Sequence, residues 1–212
     1  MSLKITEIFF SIQGESNTVG YPPVFVRLTG CPMRCSYCDT AYAFHGGERF
    51  SVEEILDEVG QYRAKHVTVT GGEPLAQPEC QALMTALCDA GYSVSLETGG
   101  AMDISNGDER VYIVLDIKTP ASNEEHNNTY QNLEHIKASD CFKFVICNEP
   151  DYQWAKTFVA ERDLDQVCDV FFSPSANELP ARELADWIVR DQLPVRMQIQ
   201  LHKILWDDEA GR

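Results

Sequence analysis

Three thiols stand close together in Cys31-Pro32-Met33-Arg34-Cys35-Ser36-Tyr37-Cys38, a C-x3-C-x2-C run. With eight cysteines in 212 residues, chance supplies only about 0.01 such triplets. Thiolates at this spacing can converge on a metal, and soft sulfur selects zinc, copper(I) or an iron–sulfur cluster. Structural zinc takes four protein ligands. No fourth Cys or His stands at knuckle spacing, since His45 lies seven residues beyond Cys38. A cubane cluster held by three thiolates keeps one iron open to a ligand. Spacing alone leaves a catalytic cluster, zinc and inert thiols all open. The other five cysteines (Cys80, Cys88, Cys141, Cys147, Cys168) are scattered through apolar or helical stretches and read as small core residues.

A second feature is Gly71-Gly72-Glu73-Pro74, at the end of a β-rich run. Its glycines let the backbone approach a ligand closely; the plainer reading is a strand-ending turn. Arg27 is a cation inside the apolar run Val24-Phe25-Val26-Arg27-Leu28. Left unpaired it would be costly. Its fork of donors suits a planar ligand bearing a carboxylate, or one of the many acidic residues.

These residues need a scaffold. Apolar runs at 24–28, 66–70, 93–97, 111–117, 142–146, 169–173 and 195–201 read as strands, after a β-rich start. A Ser51-Val52-Glu53-Glu54 capping box opens a helix to 62, and further helices are expected over 78–90, 151–162 and 178–190. Strands separated by helical crossovers imply an α/β fold with a parallel sheet, wound as a Rossmann-type sheet or curved as a partial barrel. In both, ligands gather at the C-terminal ends of strands. The breaks at Gly30, Gly71-Gly72 and Gly99-Gly100 lie there.

The length fits one domain, and 44% apolar with 24% charged residues excludes wholesale disorder. A net charge of −16 argues against a nucleic-acid scaffold. It leaves room for a small anionic substrate held by a few local cations. No apolar run reaches a membrane span of ~18 residues. The start breaks its apolar stretches with Lys4 and Glu7, unlike a secretory leader, so the expected compartment is the cytoplasm.

C-x3-C-x2-C with aromatic Tyr37 before the third cysteine, followed by a GGEP turn after the next strand, resembles the radical S-adenosylmethionine (SAM) superfamily. Within it the chain is similar to the 7-carboxy-7-deazaguanine synthase family. Ser11-Ile12-Gln13-Gly14-Glu15-Ser16 is close to that family's S-x-Q-G-E-G, with Ser16 in place of the glycine. Cys38-Asp39-Thr40 matches its C-D-T, Glu97-Thr98-Gly99-Gly100 resembles E-T-S/N-G, and Gln200-Leu201-His202-Lys203 resembles Q-x-H-K. Asp116-Ile117-Lys118 departs from the usual S-P-K but keeps the lysine.

The resemblance implies an incomplete parallel β/α barrel, one radical SAM core domain over 1–212 with short N- and C-terminal segments closing on substrate. It implies a carbon–nitrogen lyase converting 6-carboxy-5,6,7,8-tetrahydropterin to 7-carboxy-7-deazaguanine in queuosine biosynthesis, a tRNA-modification pathway. The cofactors implied are a [4Fe-4S] cluster on Cys31, Cys35 and Cys38, SAM and Mg²⁺ on Thr40. The cluster cleaves SAM to a 5′-deoxyadenosyl radical, which takes the hydrogen at substrate C6 before the ring contracts and ammonia leaves. SAM contacts are implied at Tyr37, Cys38, Asp39, Gly72, Glu73, Asp116, Ile117 and Lys118. Substrate contacts are implied at Ile12, Gln13, Gly14, Glu15, Arg27, Thr70, Ser173 and Pro174, with Gln200 and His202 near them. Expected partners are the small pterin, an electron donor such as flavodoxin and a second copy in a homodimer, with no nucleic acid and no membrane. Two other readings are carried: an activase making a glycyl radical on a protein, which shares both signatures, and a zinc-stabilised binding module.

Overall fold

Period-two alternation along the strands sorts the side chains into an outer apolar layer and a more polar inner one. The computed structural model describes residues 2–176, 178–207, 209 and 211; the two ends of the expected 1–212 domain lie outside these. The strands are β1 (Ser2–Phe10), β2 (Val24–Leu28), β3 (Glu48–Ser51), β4 (His66–Gly71), β5 (Ser93–Thr98), β6 (Tyr112–Asp116), β7 (Cys141–Ile146), β8 (Asp169–Pro174) and β9 (Arg196–Met197). They form one sheet in the order β3-β1-β2-β4-β5-β6-β7-β8-β9. From β2 outward to β9 the pairings are parallel, and β1 runs antiparallel to both β2 and β3.

The helices are α1 (Val52–Gly60), α2 (Cys80–Asp89), α3 (Glu149–Glu161), α4 (Leu164–Val167), α5 (Ala181–Asp191) and α6 (Leu201–Trp206). The expected capping box at Ser51 and Glu54 opens α1. One set of strand alternates builds the main core: Val26 and Leu28, Val67 and Val69, Val94 and Leu96, Ile113 and Leu115, Phe142 and Phe144, Val170 and Phe172. Against it pack Ile55, Leu83, Tyr152, Leu184 and their neighbours on the helices. Each such side chain, fully buried, contributes about 1.5–3 kcal/mol.

The other alternates face inward. Phe25 and Arg27, Thr70, Glu97, Val114 and Asp116, and Lys143 and Val145 all line one cavity. Five neighbouring strands converging on one space, in a sheet whose ends do not meet, make an incomplete parallel β/α barrel. The Rossmann alternative falls on that curvature.

The strand expected over 195–201 is reduced to Arg196–Met197. Gln198 turns inward to hold Ser16, and Leu201 opens α6. β3 and α4 were not anticipated. β3 is a short edge strand with exposed Glu48 and Arg49 and no apolar alternation.

Candidate active site

A cavity of about 600 Å³ opens at the C-terminal ends of the parallel strands. The cysteine loop follows β2 and forms one wall, with Cys31, Cys35 and Cys38 all free and half-buried. Burial pushes all three thiols up, Cys35 to about 11. Among the described residues no three His, Cys, Asp or Glu side chains converge on one point as a single ion requires. Three soft thiol donors on one loop at the cavity wall suit an iron–sulfur group.

The loop is wedged against the Gly71-Gly72 turn, where a Cβ on Gly72 would stand 2.3 Å from Gly30 O and 2.7 Å from Cys31 Cβ. Gly99 is as tight, with a Cβ placed 2.3 Å from Met33 Cε. Glu73 is fully buried beneath this turn. Its carboxylate accepts from Thr98 Oγ1 and the Gly99 amide, each at 2.9 Å, and from the Leu75 amide at 3.2 Å. Glu73, expected to contact the cofactor, is not part of the cavity lining; its three donors tie the turn after β4 to the turn after β5. Ile117, expected beside it, belongs to the apolar core behind the wall.

Beyond the thiols lies a set of buried charges. Lys118 Nζ stands 3.2 Å from Asp116 Oδ2 and 5.8 Å from the Tyr37 ring centre. Burial alone would lower its pKa, yet the charge of Asp116 holds it well above the usual lysine value. Asp116 Oδ1 and the Tyr37 hydroxyl are buried without a hydrogen-bond partner. Unpartnered polar atoms beside a cationic side chain and a glycine-lined gap suit a polar zwitterion such as SAM.

On the next strand, in register with Asp116, Lys143 Nζ bridges Glu15, 2.9 Å from each carboxylate oxygen, and lies 3.7 Å from Asp116. Glu97 accepts from Thr70 Oγ1 at 2.9 Å and Gln13 Nε2 at 3.1 Å. Burial, then the charge of Glu15, raises the Glu97 carboxyl above its ordinary value. Arg27 gives its Nε to Glu7 Oε1 at 2.7 Å, which also accepts from the Tyr42 hydroxyl at 2.7 Å. The acidic partner considered for Arg27 is thus present, while the guanidinium still lines the cavity.

The C-terminal segment lies along the rim of the cavity. Leu201 N donates to Gly14 O at 3.1 Å, and Gln198 Nε2 donates to Ser16 O at 3.0 Å. Gln200 and Lys203 reach Asp39 Oδ2 at 3.4 and 3.6 Å, and Thr40 Oγ1 donates to Asp39 Oδ1 at 2.8 Å. Burial alone would raise the Asp39 carboxyl; the Thr40 hydrogen bond and nearby Lys203 and Lys143 turn the net shift downward. Ser16 has φ 68°, a left-handed backbone that costs a non-glycine residue roughly 1–3 kcal/mol.

The cavity therefore brings together Ile12, Gln13, Gly14, Glu15, Arg27, Cys31, Cys35, Tyr37, Cys38, Asp39, Thr40, Thr70, Gly72, Asp116, Lys118, Gln200 and His202. Ser173 and Pro174 do not line it. They are still inside the sheet ladder, paired with Val145 and Ile146, and the wall passes to Ser175, Ala176 and Glu178. Lys143 escaped the sequence reading, and Glu97 was noted only as part of a motif. The available signal was the one that exposed Arg27: a lone charge within an apolar strand, here Cys141-Phe142-Lys143-Phe144-Val145-Ile146.

Residues 25–120 match the family model described as the Radical SAM superfamily. A 7-carboxy-7-deazaguanine synthase of Chlorobaculum tepidum is 44% identical over 211 residues, 98% of this chain and 96% of that one. The protein of the same name from Koribacter versatilis is 38% identical, with 98% and 99% covered. The crystal structure of QueE from Escherichia coli superposes with a TM-score of 0.80 over 95% of each chain; at 24% identity that likeness speaks to the fold.

Proposed function

The chain belongs to the 7-carboxy-7-deazaguanine synthase family of radical SAM enzymes, and from that premise we propose the part that each cavity residue takes in its chemistry. The enzyme is a radical SAM lyase of queuosine biosynthesis, with a [4Fe-4S] cluster and SAM as cofactors. Its reaction turns 6-carboxy-5,6,7,8-tetrahydropterin into 7-carboxy-7-deazaguanine with loss of ammonia. When bound, the two cofactors supply the one-electron chemistry that removes the hydrogen at substrate C6.

Cys31, Cys35 and Cys38 hold the cluster. Their burial keeps the thiols protonated until metal binds, so loading releases protons. When SAM is bound, Lys118 would hold its carboxylate, the Gly72 backbone its ammonium, and the Tyr37–Asp39 segment its adenosine. Glu73 and Ile117 act from behind, by fixing the turns that carry those contacts. Thr40 Oγ1 and the Asp39 carboxylate offer Mg²⁺ the hard oxygens it prefers.

The pterin is held by the neighbouring Glu15–Glu97–Lys143 cluster. Glu15 and Glu97 accept from its amino and N–H edge, Gln13 and Thr70 orient the Glu97 carboxylate, and Lys143 holds Glu15 and balances its charge. Ile12 and Gly14 line its pocket, and Arg27 supplies a cation for the substrate carboxylate, with Glu7 holding the guanidinium. Ser175 and Glu178 replace Ser173 and Pro174 on the last wall. The N-terminal Ser11–Ser16 loop and the Gln198–Trp206 strap close the single domain over the substrate and exclude water.

The observation that carries this reading is the meeting of three thiols, a glycine cradle and a Glu15–Glu97–Lys143 cluster in one cavity. The enzyme acts on a small molecule and needs a reductant. Flavodoxin as donor, a homodimer and the cytoplasm are proposed with it; no helix among the described residues is long and apolar enough to cross a membrane. The test is anaerobic reconstitution with iron and sulfide, then addition of SAM, dithionite, Mg²⁺ and 6-carboxytetrahydropterin. Mass detection of 7-carboxy-7-deazaguanine, lost in Cys35→Ala, is expected. Reductive formation of 5′-deoxyadenosine without that product would overturn the substrate assignment.

A further inference from the structure

Behind the cysteine loop runs a buried polar chain that none of these roles uses. It starts at Asp151, in the first turn of α3. Asp151 Oδ2 accepts from Thr119 Oγ1 at 2.9 Å and from the Cys147 amide at 3.2 Å, and Oδ1 accepts from the Ala121 amide at 2.9 Å. Ser122 donates its hydroxyl to Thr119 O at 2.6 Å and accepts the Glu124 amide at 3.0 Å. Glu124 ends the chain. Its Oε1 accepts the Arg34 amide at 2.6 Å, and its Oε2 accepts the Asn127 side-chain amide.

Ser36 joins from the other side. Its amide donates to Ser122 O at 3.0 Å and its hydroxyl to Ala121 O at 2.7 Å. Arg34 and Ser36 are the two residues that flank Cys35. Asp151, Thr119, Ser122 and Glu124 are all buried. Burying four polar side chains is costly unless each is satisfied, so the chain holds the loop in one place. It also leaves a carboxylate whose hydrogen bonds come from neutral amides near Cys35.

We propose that Glu124 is a positioning residue for the iron–sulfur cluster: its carboxylate pins the Arg34 amide and with it the Cys35 segment, and its negative charge lowers the cluster's reduction potential. This rests on the assignment of the cluster to Cys31, Cys35 and Cys38. The sign follows from charge. Reduction adds an electron, which a neighbouring anion disfavours and the nearby Lys118 ammonium favours. Glu124→Gln keeps an oxygen for the Arg34 amide and removes the charge. Glu124→Ala removes both.

The experiment compares the parent, Glu124→Gln and Glu124→Ala after anaerobic reconstitution. It reads iron and sulfide per chain, the rate of cluster loss to a chelator, and the midpoint potential by redox titration followed with electron paramagnetic resonance. Glu124→Gln is expected to load and keep its cluster like the parent, with the potential moved upward. Glu124→Ala is expected to lose its cluster roughly tenfold faster, the size of one charge-assisted hydrogen bond. Retention in Glu124→Ala equal to the parent's overturns the positioning role. An unmoved potential in Glu124→Gln overturns the charge role. A parent that takes up no iron overturns the cluster assignment instead.

Discussion

Glu97 is a buried carboxylate with two hydrogen-bond donors and another acid, Glu15, close by. Burial first, and the charge of Glu15 second, raise its carboxyl above the ordinary value of 4.5. The folded chain then holds this proton more tightly than the unfolded chain does. The stability that comes from it is present at low pH and is lost as pH rises from the unfolded value through the raised one. Glu97→Gln removes that loss. The variant's melting temperature relative to the parent is therefore expected to be higher at pH 8 than at pH 4.5, read by thermal unfolding of the cofactor-free chain. An identical offset at both pH values would contradict it. In the reconstituted enzyme the same variant is expected to lose roughly ten- to a hundredfold in kcat/KM, the cost of a charged hydrogen bond to substrate.

Two close approaches decide whether the loops around the cavity can form. At Gly72 a methyl group would meet Gly30 O at 2.3 Å, and that neighbour is backbone. Gly72→Ala must push the cysteine loop away from the β4 turn, so iron uptake during reconstitution is expected to fall sharply. At Gly14 a methyl group would stand 2.2 Å from His202 Nδ1 and 3.0 Å from the His202 amide nitrogen. Gly14→Ala should lift the C-terminal strap and leave the cysteine loop alone. Its expected signature is a severalfold higher KM for the pterin at unchanged iron content, with faster proteolytic clipping after Gln198. Parent-like KM and clipping would mean that the strap does not close the site.

The two faces of the sheet divide stability from chemistry. Phe172 is fully buried on the outer face, with its ring centre 5.5 Å from that of Phe144 and 6.2 Å from that of Tyr152. Phe172→Ala is expected to cost about 3–5 kcal/mol in urea unfolding. Turnover per loaded cluster should stay at the parent level, because no atom of Phe172 lines the cavity. A fall in that specific turnover would show that the outer core transmits strain to the site.

Local rules carried much of this protein. The cysteine spacing, the Gly71-Gly72 turn, the capping box at Ser51 and the strand periods are written in neighbouring residues, and the parallel α/β class follows from their alternation. Arg27 was visible as a lone cation in an apolar strand. Lys143 carried the same signal, but its partner Glu15 lies 128 residues away and only the barrel's curvature joins them. Register decided that Ser173 and Pro174 remain inside the ladder while Ser175 reaches the cavity. Folding of the C-terminal segment onto Gly14 and Asp39 cut the expected strand to Arg196–Met197 and opened α6, because those contacts outweighed the β-propensity of 195–201. The strut from Asp151 to Glu124 belongs wholly to the tertiary structure. It is assembled from three segments whose polar side chains become costly, and therefore specific, only once they are buried together.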